Sequence, residues 1–372
     1  MPWKHLLILL AFTTLSAQSK AQWEIEESHT TASLRGVANT GGGVAWASGS
    51  NGTVVRTEDG GYLWQTCAIP PGAEKLDFRG IQAFDENTAI VMSSGTGNLS
   101  RIYKTTDGCQ TWTLLFTNPD KDGFFDSIQF TTPTHGFVLG DPVTRAAFTG
   151  FALFRTDDGG HTFTFLPIPG NAADPKTHGA FAASNSSLFT HESDVVFVTG
   201  GTAGPFFFLE NLAKPGAQPS ATSTPLPLAK GEAGGAFSCA VRYPQPPAAG
   251  GHSGGPIVAL ALGGDYKAPD ATTGTAAYSR SGTWYPADTP PHGFRSAVAY
   301  DPDHKLWITV GPNGTDISLD DGKTWRPLLP TAQDSPGSDK NWNALALPFV
   351  VGPKGRIAKL RTNALDTIHP KP

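Results

Sequence analysis

Three arginines hold the same place in a recurring short segment: Arg35 in Leu34-Arg-Gly-Val-Ala, Arg79 in Phe78-Arg-Gly-Ile-Gln and Arg295 in Phe294-Arg-Ser-Ala-Val. That place is taken by Asp126 in Phe125-Asp-Ser-Ile-Gln and by Asn343 in Trp342-Asn-Ala-Leu-Ala. Guanidinium groups gathered around one axis would hold a carboxylate, a phosphate or an acidic protein segment through charge-assisted, often bidentate bonds. The competing assignment pairs each Arg with a neighbouring Asp, so that the arginines merely stitch adjacent repeats. Asp141, Asp265 and Tyr266 follow apolar strands at Gly-rich turns and would join the same place. Asp126 and Asp141 could divide acid and base roles in a hydrolysis. Tyr266 could serve as a nucleophile, but no Glu stands out as its base.

Other chemistry is less supported. Gly251-His-Ser-Gly-Gly-Pro256 looks like the nucleophile segment of trypsin-like proteases. His252 replaces the acidic residue of that motif, and no Ala-His-Cys segment supplies the base a triad needs. No G-x-G-x-x-G opens a helix, and there is no C-x-x-C-H or C-x-x-C, so no redox cofactor is expected. The acidic turns lack the ligand-rich spacing of an EF-hand, so no metal is expected. Cys67, Cys109 and Cys239 lack metal-ligand spacing; buried free thiols are the expectation, with a Cys67–Cys109 bridge between neighbouring repeats as the alternative.

The elements that must position these residues are repeats. A loop followed by an aromatic recurs as Arg56-Thr-Glu-Asp-Gly-Gly-Tyr-Leu-Trp64, Lys104-Thr-Thr-Asp-Gly-Cys-Gln-Thr-Trp112 and Arg155-Thr-Asp-Asp-Gly-Gly-His-Thr-Phe163. It returns, weakened, around Trp284, and again as Ser318-Leu-Asp-Asp-Gly-Lys-Thr-Trp325. This is the Asp-box, or bacterial neuraminidase repeat. Asp59, Asp107, Asp158 and Asp321 are assigned to accept turn amides, Gly to supply positive φ, and Trp64, Trp112, Phe163, Trp284 and Trp325 to pack between sheets. An apolar strand running into a Gly-rich turn precedes each repeat, as in Ala89-Ile-Val-Met and Leu306-Trp-Ile-Thr-Val, in seven copies. Before each lies a further short strand, including Gly179-Ala-Phe-Ala-Ala and Gly235-Ala-Phe-Ser-Cys.

Four strands per unit follow. Trp23, Trp64, Trp112 and Phe163 lie 41, 48 and 51 residues apart, close to the ~40–50 of propeller repeats. The last repeat lacks a fourth strand, whereas Gln22-Trp23-Glu-Ile-Glu precedes the first repeat as a strand without companions. The expectation is all-β: a seven-bladed β-propeller of four-stranded antiparallel blades, closed by the N-terminal strand, over residues 22–372. The fourth repeat has lost its box near residues 209–215. Pro-rich stretches at 215–227 and 244–256, within inserts near 213–231 and 244–256, read as mobile excursions.

Composition agrees. The 372 residues hold 43 Gly and 31 Pro, while charged residues are 16% against a typical quarter. A helical bundle and a collagen-like chain are both excluded, and a charge of −5 excludes the basic footprint of a nucleic-acid binder. Residues 1–21 have Lys4 and His5, an apolar run over 6–15 and small residues at Ser16, Ala17, Ser19 and Ala21. This is a secretory signal layout, cleaved after Ala17 or Ala21, and the run is too short to span a bilayer. A periplasmic or extracellular monomer without a transmembrane segment is expected.

Phe78-Arg-Gly-Ile, Gly123-Phe-Phe-Asp-Ser-Ile, His135-Gly-Phe-Val-Leu-Gly-Asp-Pro142, Gly263-Gly-Asp-Tyr266, Phe294-Arg-Ser-Ala-Val-Ala-Tyr300 and Val351-Gly-Pro-Lys-Gly-Arg-Ile-Ala resemble exported bacterial propellers of the photosystem II assembly or stability factor type. The resemblance implies a non-catalytic propeller that binds a protein through an arginine patch, carried here only by Arg35, Arg79 and Arg295. It also implies relatives bearing an oxidoreductase label, for which this sequence offers no cofactor site. The alternative is an Asp-box glycoside hydrolase. A sialidase-like enzyme would draw on the three arginines with Tyr266 and Asp126, and a glucan-cleaving one on Asp126 and Asp141. The sialidase Arg-Ile-Pro start is missing, and Asp-box xyloglucanases resemble two propellers in tandem. The expected partner is thus a protein or an anionic or glycan ligand.

Overall fold

The computed structural model describes residues 22–191, 194–211, 220–244, 256–361, 364, 365 and 368. The signal segment 1–21 and most of the 244–256 insert lie outside them, as do residues 212–219.

Apolar strands bounded by Gly-rich turns form seven antiparallel sheets. From the channel outward, blade one is Leu34–Gly41, Val44–Gly49, Val54–Thr57 and Gln65–Thr66; blade two is Phe78–Ala83, Ala89–Ser93, Arg101–Thr105 and Thr113–Thr117. Blade three is Phe125–Phe130, Gly136–Arg145, Phe148–Thr156 and Thr164–Phe165; blade four is Leu188–His191, Asp194–Val198, Phe206–Asn211 and Ser220–Pro225. Blade five is Gly231–Arg242, Val258–Asp265, Ala276–Arg280 and Thr283–Pro286, with the short Gly200–Gly201 added on its inner edge. Blade six is Ala297–Asp301, Leu306–Gly311, Gly314–Ser318 and Arg326–Pro327. Blade seven takes Ala344–Ala346, Phe349–Val351 and Ile357–Leu360 from the C-terminal end and Trp23–Glu26 from the N-terminal end.

The second strand of each blade reads as a continuous apolar run because both its faces are covered by neighbouring blades; Ala89–Ser93 and Leu306–Gly311 are buried at every residue. A separate apolar cluster fills each of the seven blade junctions. Trp46, Phe78, Tyr103 and Trp112 fill the one between blades one and two. Full burial of each large apolar side chain stabilises the ring by about 1.5–3 kcal/mol. The ring closes by pairing Trp23 with Leu360 through Glu26 with Ile357. The Asp334 carboxylate fixes the closing strand, accepting the Gln22 amide at 2.8 Å and the Trp23 amide at 3.0 Å.

Four expectations need correction. Cys67 and Cys109 form a disulfide with Cα atoms 5.3 Å apart, and only Cys239 is a free, buried thiol. Cys109 stands at a positive-φ place of its turn that Gly61, Gly160 and Gly322 fill elsewhere, and there its side chain meets the chain leaving blade one. In blade four the inner strand is Leu188–His191, not the segment starting at Gly179, and Ser220–Pro225 is its outer strand, not an excursion. The aspartate of the last turn is Asp320, not Asp321. Asp320 Oδ1 accepts Ser318 Oγ at 2.9 Å and the Thr324 amide at 2.9 Å, as Asp59, Asp107 and Asp158 do in theirs. Asp321 takes the place of Gly60, Gly108 and Gly159, at φ 58°, and its carboxylate binds Arg242 at 2.6 Å. Around Trp284 the turn is instead a tight hairpin through Ser281 and Gly282, both at positive φ; Trp284 packs on Phe207 of blade four at 4.8 Å.

Candidate functional site

The inner strands begin with bulges, and the bulges decide which side chains enter the channel mouth. Pairing skips one residue between Leu34 and Gly36, Phe78 and Gly80, Phe125 and Ser127, and Ala236 and Ser238. The extra residues are Arg35, Arg79, Asp126 and Phe237. A bulge leaves its residue unpaired and re-aims the side chain; here all four line one cavity of ≈ 490 Å³. A further skip between Gly140 and Pro142 frees Asp141 for the same cavity. Gly36 makes room for the neighbouring blade, since a Cβ there would lie 3.0 Å from Ile81 Cγ2 and 3.1 Å from the Arg79 carbonyl of blade two.

The lining is divided. Blades one to three supply Arg35, Arg79, Asp126 and Asp141 with Phe124, and the rest of the ring supplies Phe181, Phe237, Tyr266, Phe294 and Trp342. Phe181 stacks on Phe237 at 3.8 Å, and Phe294 meets Phe237 edge-on at 4.7 Å.

Arg79 Nε donates to Asp77 at 2.8 Å and its Nη1 to the Ala182 carbonyl at 3.1 Å. Arg35 lies 4.0 Å from the other Asp77 oxygen, and its Nε has no hydrogen-bond partner. Two cations thus share one carboxylate. Burial lowers the Arg35 pKa, as does the adjacent Arg79 charge, against the pull of Asp77.

Asp126 is 1% exposed and its Oδ2 has no hydrogen-bond partner. Burial and then the Asp141 carboxylate hold its pKa well above the usual range, although Arg79 opposes them. Asp141 accepts the Ala180 amide at 2.9 Å, yet burial still pushes it up to about 6.

Arg295 does not belong to this group. It is fully buried beside Asp316, which accepts Nε at 2.8 Å and also Nη2, while Nη1 donates to Asn313 Oδ1 at 2.7 Å and to the Phe294 carbonyl at 2.8 Å. Arg295 is thus paired with an Asp of its own blade instead of joining two blades, and the expected three-arginine ring reduces to a pair. Asp265 lies outside the cavity lining and accepts the Lys267 amide at 2.8 Å. Tyr266 lines the cavity and is 48% exposed. None of the aspartate-turn residues Asp59, Asp107, Asp158 and Asp320 lines it.

Two features escape the sequence reading. The aromatic wall is one, although Phe237 holds the very place that Arg35 holds in blade one. The other is segment 182–187, which crosses the channel. Arg79 binds the Ala182 carbonyl, Ser184 Oγ donates to the Ser296 carbonyl at 2.8 Å, and Ser186 Oγ to Ser238 Oγ at 2.7 Å. Asn185 Oδ1 accepts the Ile128 amide at 2.8 Å, and its Nδ2 donates to the Ile81 carbonyl at 3.2 Å. One short run of small polar residues thereby ties blades two, three, five and six together. Its only sequence signal is the run Ala-Ala-Ser-Asn-Ser-Ser itself.

Ring, cavity and divided lining define a seven-bladed β-propeller with a single-faced polar and aromatic mouth. Among solved structures, this chain is similar to YCF48 bound to D1 peptide, at 17% identity and TM-score 0.58 over 92% of this chain and 97% of that one. It is likewise similar to YCF48 from Cyanidioschyzon merolae, at 19% identity and TM-score 0.57 over 92% and 99%. U3-55K shares the architecture at 11% identity and TM-score 0.54 over 91% and 98%. No protein-family profile and no curated protein sequence matches the chain. Among the described residues no helix is long and apolar enough to cross a membrane, and no group of three His, Cys, Asp or Glu residues could hold a metal ion.

Proposed function

We propose that this chain is an exported, non-catalytic propeller that holds a protein segment at its channel mouth, in the manner of an assembly or stability factor. One observation carries the reading: Arg35 and Arg79 share the single Asp77 carboxylate at the edge of an aromatic-lined cavity. That pair retains donors for an acidic group on a partner, and the aromatic wall offers apolar area beside it. The solved YCF48 carrying a D1 peptide lends support, because it joins the same architecture to peptide binding. Export is supported by the Cys67–Cys109 bridge, which suits an oxidising compartment, and by the signal layout of residues 1–21.

The test is affinity capture from the host's cell-envelope fraction with the wild-type protein and with an Arg35→Ala/Arg79→Ala variant. A partner retained only by the wild type is expected. Identical captures from both would sink the assignment of the mouth. Intact mass of the chain recovered outside the cytoplasm should show cleavage after Ala17 or Ala21, and recovery of uncleaved chain in the cytoplasm would refute export.

A second reading, glycoside hydrolysis, is favoured by the two carboxylates with raised pKa values, a usual mark of acid and base groups. Incubation with sialoside and glucan panels decides it. Turnover that Asp126→Asn abolishes would replace the binding reading.

A further inference from the structure

The arginine pair accounts for one side of the polar wall and leaves the other unexplained. Asp126 is buried, its Oδ2 has no partner, and it lines the cavity beside Asp141. An ionised carboxylate is acceptor-only, so an unmet buried oxygen calls for a donor. Two carboxylates fall short of the six to eight oxygens of a calcium site. A Lys ammonium or an Arg guanidinium brings several donors and a positive charge to such a pair.

We propose that Asp126 and Asp141 form a subsite for a basic side chain, set next to the acid-binding pair Arg35 and Arg79. The mouth then selects a partner segment in which Lys or Arg adjoins Asp or Glu. Closeness of the two charges in the ligand follows from the walls, which lie on neighbouring blades, with Arg79 in electrostatic reach of Asp126. The hydrocarbon stem of the base would lie along the aromatic wall, where Phe237 and Tyr266 offer ring faces and edges. This inference rests on the reading that the mouth binds a protein segment.

Proton linkage follows. The ionisable groups facing the pair are Arg35 from blade one, Arg79 and its partner Asp77 from blade two, and Tyr266 from blade five; the remaining lining residues do not titrate. In the empty cavity Asp126 and Asp141 hold protons to higher pH than ordinary carboxylates. A bound cation favours their ionised forms, so it displaces protons, and affinity for the base rises with pH.

The experiment is a positional-scanning library of acetylated, amidated tetrapeptides, panned on the purified protein at pH 8 and pH 5. Pools with Lys or Arg beside Asp or Glu should be enriched about tenfold or more over pools with Leu in place of the base. That preference should fade at pH 5. Asp126→Asn/Asp141→Asn should erase the preference for the base and keep that for the acid, whereas Arg35→Ala/Arg79→Ala should do the reverse. Should the double Asn variant fail to fold, the wild-type pH comparison decides alone. Enrichment of acidic pools without preference for a base overturns the subsite and leaves the proposed function standing. Enrichment of no pool overturns both.

Discussion

Arg35 and Arg295 hold the same place in their sequence repeats, yet their surroundings assign them opposite roles. Arg295 is fully buried and neutralises Asp316, itself 1% exposed. Arg295→Ala would leave that buried carboxylate with His292 Nδ1, 2.8 Å from its other oxygen, in place of the guanidinium, and a loss of about 3–5 kcal/mol in urea unfolding is expected. Arg35 is 32% exposed at its side chain and holds Asp77 only at 4.0 Å, so Arg35→Ala should leave stability within about 0.5 kcal/mol and remove partner capture instead. Equal stability losses would show that both arginines are structural. The sequence pattern gives all three arginines one place and does not separate them. Asp316 enters beside Arg295 from a strand later in blade six, whereas the carboxylate nearest Arg35 is Asp77, 4.0 Å away and already bound to Arg79.

The aspartate turn, as an element, makes its own pH prediction. Hydrogen bonds from the Thr111 hydroxyl and amide hold Asp107 down at about 2, and those from Thr162 hold Asp158 there too. A carboxylate depressed in the folded state contributes stability that is present above its unfolded value and lost as pH falls through the folded one. Melting temperature should therefore drop between about pH 4 and pH 2, and Asp107→Asn/Asp158→Asn should flatten that drop. An unchanged acid limb in thermal melts would contradict this.

Blade two's turn also carries Cys109, and its bridge to Cys67 spans 42 residues. Loop-closure entropy puts the stabilisation at about 4 kcal/mol. A Cys67→Ser/Cys109→Ser variant should lose about 2–4 kcal/mol in urea unfolding, and a difference near zero would mean that the packing of blades one and two holds without it. The bridge was open to the sequence only as an alternative, because pairing depends on how close two blades bring residues from separate repeats. Blade four shows the same limit. Gly179-Ala-Phe-Ala-Ala alternates like an inner strand, but its residues line the cavity and lead into the channel-crossing run, so the true strand starts at Leu188. The polar outer strand Ser220–Pro225 has little apolar signal, since it buries little: three of its six residues are exposed outright and a fourth is Pro225, also exposed. Second strands were legible throughout, because burial on both faces forces an unbroken apolar run.

Ring closure makes the whole molecule sensitive to one carboxyl group. Glu26 lies on the closing strand, paired with Ile357, and accepts the Trp64 indole N–H of blade one at 2.7 Å. Burial raises its pKa to about 7, against the hydrogen bond from Trp64 and the charge of Lys359. A carboxyl group raised in the folded state favours folding below its unfolded value, and that advantage is lost as pH rises through the folded one. The window runs from 4.5 to about 7, and Asp126 and Asp141 at the mouth act in the same direction. The aspartate turns act in the opposite one, at lower pH. Stability should thus peak at about pH 4, where the turns are ionised and the carboxyl groups that folding buries have only begun to ionise in the unfolded chain. Glu26→Gln keeps an acceptor for Trp64 and removes the titration. It should raise the melting temperature at pH 8 and change it little at pH 5. A rise of equal size at both pH values would assign the effect to packing rather than to charge. A hydrogen-exchange experiment at pH 8 locates it: slower exchange in the variant should appear in blades seven and one, which the closing strand joins, and not in blade four.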